Sequence, residues 1–322
     1  MPAKDHERFA TRYKERFFNN DTIPENIKKE VQRFLYCYEA GFARQAIFFQ
    51  KLELFCSELD SIDDFQNRDK INEIFYRYRQ KYSVATYHTL VAVSLQFATW
   101  LNDGVRPKSF VDVKRPPKGK TNRNLKPEDM VTWEDGLKMA SFSHSIQLKA
   151  IILVQLDGGF RPGEFVDLKY GDIVLKDTIA IAYIRSGKTG GRIVILRRSF
   201  GALNAWLDAH PIKSPDSPLW ITEYPGSTPD SKERIRPYKY PAFAKRVKQL
   251  ALYAKIDKPA DFYNLRHSSC VLDKLDNLPV DLAAERHGHS IRHFTDVYGR
   301  LSTEDVVNRY LKHYNFKPKT PT

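Results

Sequence analysis

Four short strings in the second half of the chain gather side chains that could handle a phosphate ester. LDGGFRPGEFVDLKYGDI carries Arg161 behind a glycine pair, and SGKTGG sets Lys188 in a glycine-rich turn. YNLRHSSCVL carries Tyr263, Arg266 and His267, and HGHSIRHFTDVY carries His289 and ends on Tyr298. A guanidinium offers planar, bidentate donors and stays charged at any working pH, which suits it to phosphate oxygens. A phenol, with a pKa of about 10, attacks poorly near neutrality unless cations stabilise the phenolate and a base takes its proton. An imidazole can take that proton, and an ammonium can supply one to a departing oxygen. The sequence contains no P-loop string and no carboxylate cluster suited to metal ions, so neither is expected to take part.

The elements that must hold these residues can be read from apolar spacing. In the first third, Pro24 to Tyr38 places Ile27, Val31, Phe34, Leu35 and Tyr38 on one helical face, with Pro24 suited to a first turn. Further helices are predicted from Phe42 to Leu59, from Ile71 to Tyr78, and onward from an N-cap at Ser83. This predicts a domain of four packed helices whose aromatic residues are core rather than a base-stacking surface. From Arg106 to Pro127 the periodicity stops, and prolines mix with the cations Lys114, Arg115, Lys118, Lys120 and Arg123. Such a segment is a solvated connector, or a strap that contacts phosphates if its neighbour acts on DNA.

After an N-cap at Thr132, with Asp135 three residues on, helical patterns run through Leu156 to Gly158 and Gly159. A short helix is expected around Pro162 to Leu168. Asp172 to Leu175, Thr178 to Arg185 and Arg192 to Arg197 read as three strands, the last two joined by the turn holding Lys188. Helices are predicted near Phe200 to Ala209, Tyr240 to Ala254, Phe262 to Leu275, Val280 to Glu285 and Thr303 to Tyr314. The expected fold class is mainly α with a small antiparallel β-sheet, in two domains: 1–105 helical, 106–127 a basic linker, and 128–322 an α+β unit.

The chain of 322 residues carries 52 Lys and Arg against 39 Asp and Glu, a net charge of +13, which draws it to polyanions with salt-dependent affinity. Cys37, Cys56 and Cys270 are widely spaced and have no metal-ligand partners nearby, so they read as reduced core residues. No apolar leader or membrane-length stretch is evident, which predicts an intracellular setting.

In order and in setting, the four strings resemble the boxes of the tyrosine-recombinase, or phage integrase-like, family. The resemblance covers roughly Thr132 to Tyr314, and the helical first domain with its linker resembles the family's core-binding half. It implies that Arg161 and Arg266 hold the charge growing on the non-bridging oxygens and that Lys188 protonates the departing 5′-oxygen. It also makes His289 a base or donor and Tyr298 the nucleophile of a 3′-phosphotyrosyl link, without cofactor or metal. Glu164 reads as a structural partner of Arg161 or of a helix end rather than as a catalytic acid. Tyr263 departs from the family pattern, standing where the box normally opens with His or Lys, and a phenol cannot serve as a base near neutrality. Either His289 is the base, or His267 substitutes, or activity is reduced. His287 also departs, standing where an apolar residue is usual.

The implied activity is site-specific recombination on double-stranded DNA. Relaxation in the manner of a type IB topoisomerase, and DNA binding with weakened catalysis, are the alternatives. The implied assembly is a homo-oligomer, dimer to tetramer, joined through a C-terminal helix whose stripe is Val306, Val307, Tyr310 and Leu311. The implied setting is cytoplasmic, associated with the nucleoid or encoded by a virus or mobile element.

Overall fold

A computed structural model describes residues 3–116, 127–185, 190–223, 235–298 and 303–313. Lys118, Lys120, Arg123 and Lys188 lie outside these residues, as does Tyr314. The chain divides into two compact units, one within residues 2–124 and the other within 125–322.

Among the described residues the first unit has five α-helices rather than the four expected: α1 (Ala3–Phe18), α2 (Glu25–Leu35), α3 (Phe42–Cys56), α4 (Arg68–Lys81) and α5 (Val84–Leu101). The additional helix is α1. It is charged along most of its length but turns Ala10 and Phe17 inward. Arg16 pairs with Glu53 of α3, and the Phe17 ring lies 6.0 Å from that of Phe49. Pro24 occupies the N-cap of α2 rather than its first turn. Ser83 caps α5 as expected, accepting from the Thr86 amide. The aromatics form the core: Phe34, Phe48, Phe55, Phe65 and Phe97 are buried and meet edge-on or stacked, arrangements that add to the area they bury. Residues after Arg106 also join this core. Phe110 and Val113 are buried, and Arg106 donates to the carbonyls of both. Lys114 and Arg115 are exposed. Cys56 is buried with the core, whereas Cys37 is exposed at the end of α2, contrary to expectation.

The second unit opens with α6 (Trp133–Ser141), capped reciprocally by Thr132 and Asp135, and α7 (Ile146–Gly158), which is apolar almost all round and runs through the core. After the short α8 (Pro162–Val166), β1 (Ile173–Lys176), β2 (Ile179–Ile184) and β3 (Arg192–Leu196) form an antiparallel sheet in that order. Its register pairs Ala180 with Leu196 and Ala182 with Val194, and all four are buried. Tyr183, Ile193 and Ile195 of the alternate set are exposed, as the two-residue period of a one-sided sheet requires. Then follow α9 (Phe200–Ala209), a two-stranded ribbon of β4 (Ile221–Glu223) and β5 (Ile235–Pro237), and α10 (Tyr240–Tyr253). The chain continues with α11 (Phe262–Leu275), α12 (Val280–His287), α13 (Ile291–Tyr298) and α14 (Thr303–His313). Among the described residues no helix is long and apolar enough to cross a membrane.

Candidate active site

The site forms where three helix ends meet. Helix α7 stops at Gly159, whose φ of +56° is left-handed; a Cβ there would come within 2.8 Å of both the His287 ring and the Ser269 side chain. Glycine is therefore required twice, for conformation and for space. Gln155 of α7 donates to the carbonyls of Phe160 and Phe262, tying this exit to the start of α11. Helix α12 ends the same way at Gly288, with φ +62°.

The turn at Gly288 organises the cations. Arg161 donates through Nη2 to the Gly288 carbonyl, and Arg266 donates through Nη2 to the His287 carbonyl at 2.7 Å. Arg266 also donates to the carbonyl of Gly159, and its Nη2 lies 2.8 Å from Nε2 of His289. One loop thus holds Arg161, Arg266 and His289 together. Arg266 is buried, which pulls its pKa below the usual value, yet a guanidinium remains charged near neutrality. With Arg266 as donor, Nε2 of His289 is an acceptor and the ring is neutral. Burial, followed by the nearby Arg266 charge, brings the His289 pKa down to about 3.

Glu164 anchors this arrangement from below. Its carboxylate receives Nη1 of Arg161 at 2.8 Å, the Arg161 amide at 2.8 Å, and both terminal nitrogens of Arg192 at 2.6 and 2.7 Å. Burial alone would raise its pKa, but the Arg192 and Arg161 bonds outweigh burial and hold it at about 2. Arg192, at the start of β3, also donates to the Arg286 carbonyl. Glu164 is the structural partner the sequence suggested. Arg192 was missed, although an arginine opening an otherwise apolar strand was a visible signal.

His287 is fully buried, and its Nε2 lies 2.8 Å from Asp273, which also receives Arg286 at 2.7 Å. Burial, opposed but not overcome by Asp273, lowers its pKa to about 4, so it is a neutral donor near neutrality. This bond explains how a polar residue sits at an interior position.

Tyr298 ends α13, a helix the sequence reading did not separate out. Ser290 begins α13, its hydroxyl accepting from the His293 amide, and Phe294 and Tyr298 face inward one turn apart. Tyr298 is 4% exposed. Its ring stacks on His289 at 5.8 Å and packs against Phe294 at 5.3 Å. Its hydroxyl lies 2.6 Å from Nδ1 of His267, and burial raises its pKa above the ordinary value. Tyr263 lies one turn earlier on α11, is 51% exposed, and has its ring 6.4 Å from that of His267. Arg161, Arg266, His289 and Tyr298 therefore form one cluster with Tyr263 at its margin, while Lys188 falls outside the described residues.

Residues 128–305 match the phage integrase family. A search of curated protein sequences finds no match. Among solved structures, the fold is similar to the XerH site-specific recombinase bound to palindromic difH substrate in a post-cleavage complex, with TM-score 0.65 and 15% identity over 97% of each chain. It is also similar to a lambda integrase dimer bound to a COC′ core site, with TM-score 0.64 and 14% identity over 85% of this chain and 96% of that one. A lambda integrase tetramer bound to a Holliday junction gives TM-score 0.62 and 15% identity over 84% and 79%.

The Glu164 anchor has a pH signature. Its pKa falls from 4.5 to about 2 on folding, so its contribution is complete above pH 4.5 and disappears as pH falls through about 2. Urea unfolding of Glu164→Gln is expected to show a loss of about 3 kcal/mol at pH 7, with the gap to the parent narrowing below pH 4.5. A gap that stays constant down to pH 3 would contradict a charged anchor.

Proposed function

Because the chain belongs to the phage integrase family, we propose that it is a site-specific DNA recombinase, which cleaves and rejoins strands through a 3′-phosphotyrosyl link formed by Tyr298. The observation that carries this reading is the convergence of Arg161, Arg266 and His289 on one loop with the Tyr298 ring stacked against His289. Two guanidiniums are suited to charge that builds on the non-bridging oxygens, and their backbone anchors fix them before the substrate arrives. Lys188 completes the set as proton donor to the 5′-oxygen. The exchange conserves ester energy, so no nucleotide is consumed. The exposed Lys114 and Arg115, with Lys118, Lys120 and Arg123, add phosphate contacts whose strength falls as salt rises. A cytoplasmic, nucleoid or mobile-element setting accords with such a substrate.

On a nicked suicide duplex, Tyr298→Phe is expected to abolish the covalent adduct with binding nearly unchanged, while Arg161→Ala and Arg266→Ala slow cleavage far more than they weaken binding. Adducts from Tyr298→Phe would move the nucleophile elsewhere, Tyr310 first. Wild-type adducts without exchange between two sites would favour a topoisomerase, and no adduct at all a binding protein.

We also propose that dimers and tetramers assemble on DNA through α14. Val306, Val307 and Tyr310 are all about half exposed or more, and a helix of this length gains stability by packing its apolar stripe. Deleting residues 302–322 should leave single-site binding intact in a gel shift and remove the slower, paired-site complexes. Paired complexes that persist would exclude α14 from assembly.

A further inference from the structure

The nucleophile reading leaves one proton without an acceptor. A buried phenol is protonated near neutrality, and its attack on phosphorus needs a base at hydrogen-bond distance. Besides Cys270, whose thiol bonds to the hydroxyl but is kept protonated by burial, three side chains are near enough to consider. Tyr263 is itself a phenol. His289 meets Tyr298 face to face, its ring 12° from parallel, so that it contacts the tyrosine by stacking. Its Nε2 is turned to Arg266, and a proton there would face two guanidiniums. His267 alone of the three has a ring nitrogen directed at the hydroxyl, Nδ1 at 2.6 Å from Oη. It stands one turn beyond Tyr263 on α11, so residues four apart share one face of the helix.

We propose that His267 is the catalytic base for Tyr298, taking the role that Tyr263 cannot fill; the assignment rests on Tyr298 being the nucleophile. In the step, the Oη–H proton passes to Nδ1 of His267 as the freed electron pair forms the Oη–P bond. The P–O5′ bond breaks, and its pair leaves with the 5′-oxygen, which takes a proton from the Lys188 ammonium. His267 is then an imidazolium and Lys188 a neutral amine. Rejoining reverses both transfers, so no proton is gained or lost over the cycle. His289 remains neutral throughout and keeps Arg266 in register.

The test uses the full chain and a nicked duplex bearing the site that the wild-type protein selects from a random DNA pool. The duplex is made with oxygen or with sulfur as the 5′ bridging atom. A thiolate leaves without protonation, so sulfur rescues defects in the proton donor but not in the base. His267→Ala and His267→Asn are expected to form adduct at least about a hundredfold more slowly than wild type on both duplexes. Lys188→Ala should be slow on oxygen and restored on sulfur. His267→Asn retains a hydrogen-bonding side chain of similar reach, so wild-type rates in it would overturn proton transfer in favour of mere positioning. Rescue of either His267 variant by sulfur would likewise overturn the assignment. Adducts from Tyr298→Phe, measured in parallel, would overturn the nucleophile and the base together, whereas their absence beside a fast His267→Asn would overturn the base alone.

Discussion

Much of the second unit depends on one left-handed turn. At Gly288 the chain reverses so that the carbonyls of His287 and Gly288 point at Arg266 and Arg161, and the next residue, His289, meets Arg266 as well. Carbonyls are weak acceptors beside carboxylates, and that weakness is useful. A guanidinium held by backbone dipoles retains most of its positive field, whereas one locked to a carboxylate would have it neutralised. Arg266, held by carbonyls and an imidazole, is therefore both fixed and electrostatically available.

Asp273 touches neither Arg161 nor Arg266, and Glu164, which does pair with Arg161, divides its charge with Arg192. Glu164 shares itself between Arg161 and Arg192, and Asp273 between Arg286 and His287. Arg286 reaches the carbonyl of Asp157 as well, and Asp157 in turn accepts from the amide and hydroxyl of Ser199. Each buried charge has several partners, which is the condition under which such groups can be tolerated in an interior. His287 fits because a neutral ring serves as a donor to Asp273 without adding another cation beside Arg266 and Arg286. These bonds join α7, α8, β3, α11 and α12, elements distant in sequence, so the site and the core of its unit are one structure.

Much of this was legible in the sequence. The glycine pair at 158–159 marked a helix end, Ser83 and Thr132 marked helix starts, and TIAIAYIR marked a strand, because each signal reflects local backbone chemistry. Helix α1 escaped because its inward residues are few among charges, and only packing against α3 reveals its face. Helix α13 carried a helical period in Ile291, Phe294 and Tyr298 that its reading as a motif obscured. The roles of Arg192 and His267 were less accessible. Arg192 meets Glu164 across the sheet edge, and His267 meets Tyr298 only because α11 and α13 pack together. Tyr263 and His267 lie on the same helix in the same box, and spacing alone could not say which would face the hydroxyl.

The claim that the Gly288 turn sets the arginines can be tested by substitution at the turn itself. Alanine at a φ of +62° costs about 1 kcal/mol and pushes the backbone away from that conformation, whereas asparagine tolerates it. Suicide-substrate cleavage by Gly288→Ala and Gly288→Asn, compared at equal DNA occupancy, reads the effect. The account predicts at least about a tenfold loss of rate in the alanine variant, near wild-type rate in the asparagine variant, and similar duplex affinity in both. Wild-type cleavage by Gly288→Ala, with its fold intact by circular dichroism, would contradict it.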